Sequence, residues 1–260
     1  MTRWWQWFTR RRCSPFNGGM DRDFHLKAFQ EQGDAFRRAV QQAGPDVEVP
    51  SCPGWDVRQL TGHLARSYAR ARLSLQVEPG GFRPEAPEAP ADFDAALSWW
   101  DELRSGLLTE LSTMDPDRPV WAIFDGGTPT TWARRVAHET AIHRLDAELA
   151  LGQGGDLVFD PELAADGIDE LLVTLLPLGD WSSHQHSGTV LYHAADAGRA
   201  WLVTYRPGGA PVIGGPADAG LETDGTVAGT ADALYRRVWG RPSTALVTGD
   251  HALADVAAGR

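Results

Sequence analysis

From residue 23 onward, apolar positions recur three, four or seven apart in four long stretches, the spacing of helices that each bury one face. The first, Asp23 to Ala43, carries Phe24, Phe29, Phe36 and Val40 and stops at Gly44-Pro45. Asp56 has the chemistry of an N-cap for a second helix running to about Val77, with Val57, Leu60, Leu64, Tyr68, Ala71 and Leu75 in one stripe. The proline-rich run 79–90 (PGGFRPEAPEAP) cannot continue it. Asp92 to about Met114 reads as the third helix, with Phe93, Leu97, Trp100, Leu103, Leu107 and Leu111. After a long loop, 115–129, a fourth helix spans about Thr131 to Leu151. Four such helices predict a bundle over residues 20–152.

Beyond the linker Gly152-Gln-Gly-Gly-Asp156 the texture changes. Pro161 to Leu176 reads as helix. Thr189–His193 and Trp201–Tyr205 are rich in β-branched and aromatic residues, with a turn at Asp196–Gly198 between them. Thr226–Gly229 reads as a further short strand, Ala231–Trp239 as a helix closed by Gly240, and His251–Ala258 as another. The fold class is therefore α+β: a four-helix bundle, then a small α+β domain over 157–260, with no internal repeat.

Composition narrows the partners. A net charge of −11 on 260 residues argues against a nucleic-acid partner, which requires clustered positive charge. No apolar run approaches the roughly 20 residues that span a bilayer, so no membrane partner is expected, and the chain is expected to be a monomer or a weak homo-oligomer. Two cysteines, Cys13 and Cys52, are too few for a disulfide framework and fit a reducing cytoplasm. Lys27 is the only lysine and Asn17 the only asparagine, while arginine, alanine and glycine abound; this is the bias of GC-rich codons and points to an actinobacterial source. Residues 1–19, basic and aromatic, fit a signal peptide poorly and are expected to be a disordered tail or an extension ahead of Met20.

Candidate chemistry sits on the fourth helix. At about 100° per residue, Trp132, Val136, Glu139, Thr140, His143 and Ala147 share one side, while Ile142, Leu145 and Leu149 lie on another. Both faces have a claim to burial. If the isoleucine and leucine face is the buried one, Glu139 and His143 are a solvated i, i+4 pair. On the second helix, His63 borders the apolar stripe near Leu60 and Ser67, as a satisfied boundary residue or as a ligand. With Glu139 and His143 it completes a set of two histidines and one carboxylate, which can hold zinc or a similar divalent ion and leave positions open. His138 points about 100° away from Glu139, as a surface residue or one backing the ligands. His184 and His186 read as bystanders in a polar loop, and Cys52 as a small packing residue. Trp55 is expected to swing back onto the bundle at the Pro53-Gly54 turn.

The stretch Val49–Leu64 (VPSCPGWDVRQLTGHL) resembles the signature of the mycothiol-dependent maleylpyruvate isomerase family, and Arg135–Ala147 (RVAHETAIHRLDA) is similar to its second signature. Residues 221–230, 234–241 and 247–250 resemble its smaller C-terminal domain. The resemblance implies a DinB-like metal-binding bundle with ligands at His63, Glu139 and His143, and a C-terminal domain that closes over the metal. It implies mycothiol as the thiol activated at that metal, zinc first among the candidate ions, for attack on a small electrophile of the maleylpyruvate kind. Among the arginines of the second domain, Arg206, Arg236, Arg237 and Arg241, the first choice as a cation for an anionic substrate is Arg241, against a plain surface arginine. Two other functions stay open: a hydrolase or amidase using metal-bound water, and a metal-binding protein without turnover.

Overall fold

The computed structural model of the chain describes residues 21–214 and 222–258, so the reading of residues 1–19 lies outside the described residues. Four long helices come first: α1 (Arg22–Ala43), α2 (Val57–Ser74), α3 (Phe93–Thr113) and α4 (Pro129–Ala150). Each begins at a side chain that caps the free backbone N–H groups. Asp21 accepts from the Phe24 N–H, and Asp56 forms a capping box with Gln59. Asp92 caps α3. α4 starts two residues earlier than the apolar spacing alone predicts. Thr128 caps it in a box with Thr131, and Pro129 occupies the first turn, where its missing N–H costs nothing. α2 ends at Ser74 rather than Val77, and the Val77 carbonyl instead accepts from the Trp121 N–H at 2.7 Å.

α1 packs along α4 and α2 along α3, around Phe29, Phe36, Leu60, Tyr68, Trp100 and Leu107, all fully buried. The chain continues through α5 (Pro161–Asp169) into one π-helical segment, Glu170–Leu175, and a short 3-10 turn. A five-stranded sheet follows: β1 (Gly188–Ala194), β2 (Arg199–Arg206), β3 (Gly209–Gly214), β4 (Gly225–Gly229) and β5 (Leu246–Gly249), in the order β3-β2-β1-β4-β5. β1 and β2 form the expected hairpin, with Val190 opposite Val203 and Tyr192 opposite Trp201; β4 joins β1 in parallel. α6 (Ala231–Val238) and α7 (His251–Ala254) pack on β1 and β4. The two strands that hydrophobic spacing did not reveal, β3 and β5, are the sheet's edges. β3 contains Pro211, which an edge tolerates because that N–H need not join a ladder. None of the described helices is long and apolar enough to cross a membrane.

The question of which face of α4 is buried has a double answer. Trp132, Val136 and Ala147 join the core of the helical region, whereas Ala141, Ile142 and Leu145 join the core beneath the sheet, with Phe159, Ile168, Tyr192 and Tyr235. α4 is thus the shared wall of both cores, and Glu139 and His143 are not a solvated pair. Apolar side chains buried on both sides stabilise α4 by about 1.5–3 kcal/mol each, which gives the polar residues between them a rigid backbone.

The surface reading of His138 is corrected here: the residue is fully buried. Side chains from α5 and α6 cover that face of α4: His138 bonds Asp166 of α5 at 2.8 Å and the Tyr235 hydroxyl of α6 at 3.2 Å. Gly167 permits this approach, since a Cβ there would stand 2.2 Å from the Tyr235 ring.

Candidate metal centre

α2 and α4 bring His63, Glu139 and His143 together. His63 Nε2 lies 3.3 Å, and His143 Nε2 3.5 Å, from the same oxygen, Glu139 Oε1. The imidazole centroids are 4.8 Å apart, and one ligand atom from each of the three residues falls within 4.8 Å of the others. Two ligands of a tetrahedral ion bound at about 2.0–2.2 Å stand about 3.3–3.6 Å apart, so the two measured separations suit a shared divalent ion. Side-chain exposure falls from 38% at His63 through 19% at Glu139 to 9% at His143. The group is therefore open on the His63 side, where a cleft of about 510 Å³ begins.

Each ligand is held from behind. The other ring nitrogen of His143, Nδ1, meets Asp146 Oδ2 at 2.9 Å, which leaves Nε2 for the cleft side. Asp146 is fully buried. It accepts from Ser51 Oγ at 2.5 Å and from Arg241 Nε and Nη2 at 2.9 and 2.6 Å. Arg135, four residues before Glu139, ion-pairs with its Oε2 and with Glu170 of the π-helical segment, and lies over the Trp239 ring. Ser67 Oγ donates to Glu139 Oε1 at 3.2 Å. Trp55, on the cleft wall, covers both imidazoles. Gly54 has φ of 81°, a conformation that L side chains resist, and the turn lays the indole 4.8 Å from His63 and stacked on His143.

The charges follow from these contacts. Burial opposes ionisation of Glu139, but Arg135 and the two imidazoles outweigh it and hold its carboxyl well below the usual range. Burial also opposes a charged His143, yet its hydrogen bonds to Asp146 and Glu139 raise its pKa to about 9. Asp146 stays ionised despite burial because of His143 and Arg241.

Two other groups among the described residues have the donor types for a metal. His25, His138 and Asp166 are all buried, away from the cleft, and the Asp166 oxygen they share already accepts from Arg134 Nε at 2.8 Å. A cation beside that guanidinium is unfavourable. Cys52 lies with His143 and Asp146, but the Arg241 guanidinium already occupies that side, with Nη2 2.6 Å from Asp146 Oδ2 and 3.8 Å from Cys52 Sγ, so a cation there is equally unfavourable. The set on α2 and α4 alone combines converging donors, orienting partners and an opening.

Of the residues singled out from sequence, His63, Glu139 and His143 converge. Arg241 is placed behind them rather than at the surface, its side chain only 15% exposed and turned to Asp146. Of the other arginines considered with it, Arg236 is buried and bonds Asp232 and the Gly154 carbonyl. His184 packs against Trp181 and Tyr205, away from the site. Asp146, Arg135, Ser51 and Ser67 were not singled out. Asp146, Arg135 and Ser67 carry a legible signal, three residues after His143, four before Glu139 and four after His63, each on its ligand's own helix; Ser51 carries none.

No curated protein and no solved structure matches the chain. Residues 26–148 match the family model described as the mycothiol maleylpyruvate isomerase N-terminal domain, a span that contains α2, α3, α4 as far as Glu148 and all three converging side chains. The family assignment is thus that of the helical region: residues 26–148 form a domain of the mycothiol maleylpyruvate isomerase N-terminal kind.

Proposed function

We propose that His63, Glu139 and His143 hold one divalent metal ion, zinc first, and that the protein is a mycothiol-dependent isomerase or thiol transferase acting on a small electrophile. The observation that carries this reading is the pair of imidazole nitrogens converging on one carboxylate oxygen, with His143 oriented by Asp146 and the exposed side facing a cleft. When bound, such an ion acts as a Lewis acid that lowers the pKa of a coordinated thiol toward neutrality.

The chain's own residues supply positioning. Asp146 fixes the ring of His143, and Arg241 and Ser51 fix Asp146. Arg135 keeps Glu139 ionised and aimed. Arg241 thus serves as a positioning residue acting through Asp146. In the reaction the sulfur adds to the electrophilic carbon and the π electrons move onto the adjoining carbonyl. If the substrate was a cis alkene, the new single bond rotates, and expulsion of the sulfur restores the trans alkene. A substrate without that route takes up, at the carbon beside the carbonyl, one proton in place of the one the thiol lost, and leaves as the S-conjugate.

Water activation for hydrolysis is supported less well. Metal hydrolases commonly add a positioned base to the metal-bound water, and both nearby carboxylates, Glu139 and Asp146, are committed to cationic partners.

Two outcomes are expected. Zinc-loaded protein converts an electrophile only when mycothiol is added, read as product formation by mass spectrometry with and without thiol; equal conversion without thiol would transfer the reading to hydrolysis. Asp146→Asn lowers metal affinity about 10- to 100-fold, the usual effect of losing the partner that orients a ligating histidine, measured by competition with a chromogenic chelator. Unchanged affinity would remove Asp146 from this role.

A further inference from the structure

On α2, His63, Arg66, Ser67 and Arg70 stand at i, i+3, i+4 and i+7, so they share one face. All four line the cleft between α2 and the end of the proline-rich segment, residues 88–91. That segment sits tight on the helix: a Cβ at Gly62 would stand 3.0 Å from the Ala89 Cβ.

The charge of this lining runs against that of the chain, which carries a net −11. Apart from His63, the ionisable residues on the cleft wall are Arg58, Arg66, Arg70 and Glu88. Arg58 is tied to Asp46 at 2.6 Å and Arg66 to Glu88 at 3.0 Å. Arg66 Nε, however, is buried without a hydrogen-bond partner, and Arg70 forms no ion pair among the described residues. Burial, then the neighbouring Arg83 and Arg66, lower the pKa of Arg70, with Glu139 opposing. Side chains on a helix lean toward its N-terminus, so Arg66 and Arg70 lean back toward His63. Their backbones are about 4.5 and 10.5 Å from it along the axis. The other obvious cation, Arg241, is not part of this lining and has its guanidinium engaged by Asp146 and the Trp239 carbonyl.

We propose that Arg66 and Arg70 form a carboxylate-binding subsite that selects anionic electrophiles for the reaction at His63, Glu139 and His143. This rests on the thiol-transfer reading above. Because both side chains lean back toward His63, the carboxylate they bind adjoins the reacting carbon, as it does in maleate. Arginine suits the task because its planar fork meets a carboxylate with two parallel hydrogen bonds.

The test is a calorimetric titration of the full-length, zinc-supplemented protein with maleate, a dianion, and with maleamide, its neutral counterpart. The native protein is expected to bind maleate at least tenfold more tightly. Arg70→Gln lowers maleate affinity about 10- to 100-fold and leaves maleamide binding and zinc content unchanged. Arg66→Gln acts in the same direction. Equal binding of the two ligands by the native protein, no binding of either, or undiminished maleate binding by Arg70→Gln overturns the subsite. Loss of maleate binding in His63→Ala alone would assign the anion to the metal and overturn it equally. Because the readout is binding, a lack of thiol-dependent turnover would defeat the reaction and leave the subsite standing.

Discussion

Replacing His143 by alanine is expected to lower affinity for a divalent ion by roughly two to three orders of magnitude and to abolish thiol-dependent activity at ordinary metal concentrations. A structural zinc site with four protein ligands has an apparent binding free energy of about 10–16 kcal/mol, or about 2.5–4 kcal/mol per ligand, and about 1.4 kcal/mol is tenfold. His63→Ala should act alike, since His63 supplies the nitrogen on the open side. The fold should persist in both variants. Asp146 keeps Arg241 and Ser51 as partners, and the cores around Trp100 and Tyr192 do not include either imidazole. Elemental analysis of the purified variants, beside circular dichroism to show that they are folded, checks the expectation. Full metal occupancy in both folded variants would end the assignment.

The helical half of the fold was legible because its helices carry their own start signals and apolar stripes; Asp56 and Gln59 are visible as a capping box before any tertiary contact exists. The edge strands were not, because β3 and β5 owe their conformation to the neighbours they pair with, not to local pattern. At the site, His63, Glu139 and His143 could be singled out by residue type and helical spacing, helped by a long resemblance around them. What spacing could not supply is the arrangement behind them. Arg241 reaches Asp146 across 95 positions, and Glu170 reaches Arg135 across 35. Cross-chain partners of this kind leave no periodic trace. The surface alternative for His138 failed for the same reason: its wheel position faces away from the ligands, and only His25 of α1, Asp166 of α5 and Tyr235 of α6 together make that direction an interior.

Asp166→Asn is expected to cost about 3–5 kcal/mol of stability, the usual penalty for removing one member of a buried ionic group, and to lower the unfolding midpoint by roughly 6–20 °C. One oxygen, Oδ2, receives His25 Nε2 at 2.9 Å, His138 Nε2 at 2.8 Å and Arg134 Nε at 2.8 Å. These donors come from α1 and α4 and meet a carboxylate on α5, so the group ties the helical region to the segment that leads into the sheet. An asparagine of the same size removes the charge and leaves Arg134 and two buried imidazoles with a weaker acceptor. Burial raises the carboxyl's pKa, but His138, His25 and Arg134 together hold it well below the ordinary 3.8. A depressed folded-state pKa means that the contribution is complete above about pH 4 and fades as pH falls below it. The native protein should therefore lose stability steeply in that acidic range, and Asp166→Asn should lose less there than the native chain does. Urea unfolding followed by circular dichroism at pH 7 and at steps down to pH 3 measures both effects. Metal content should stay unchanged, because the site's own orienting contacts run through Asp146 and Arg135. A variant within 1 kcal/mol of the native protein at pH 7 would show that the three donors find other partners, and that the junction between the two cores is held by Ile142, Leu145 and their apolar neighbours alone.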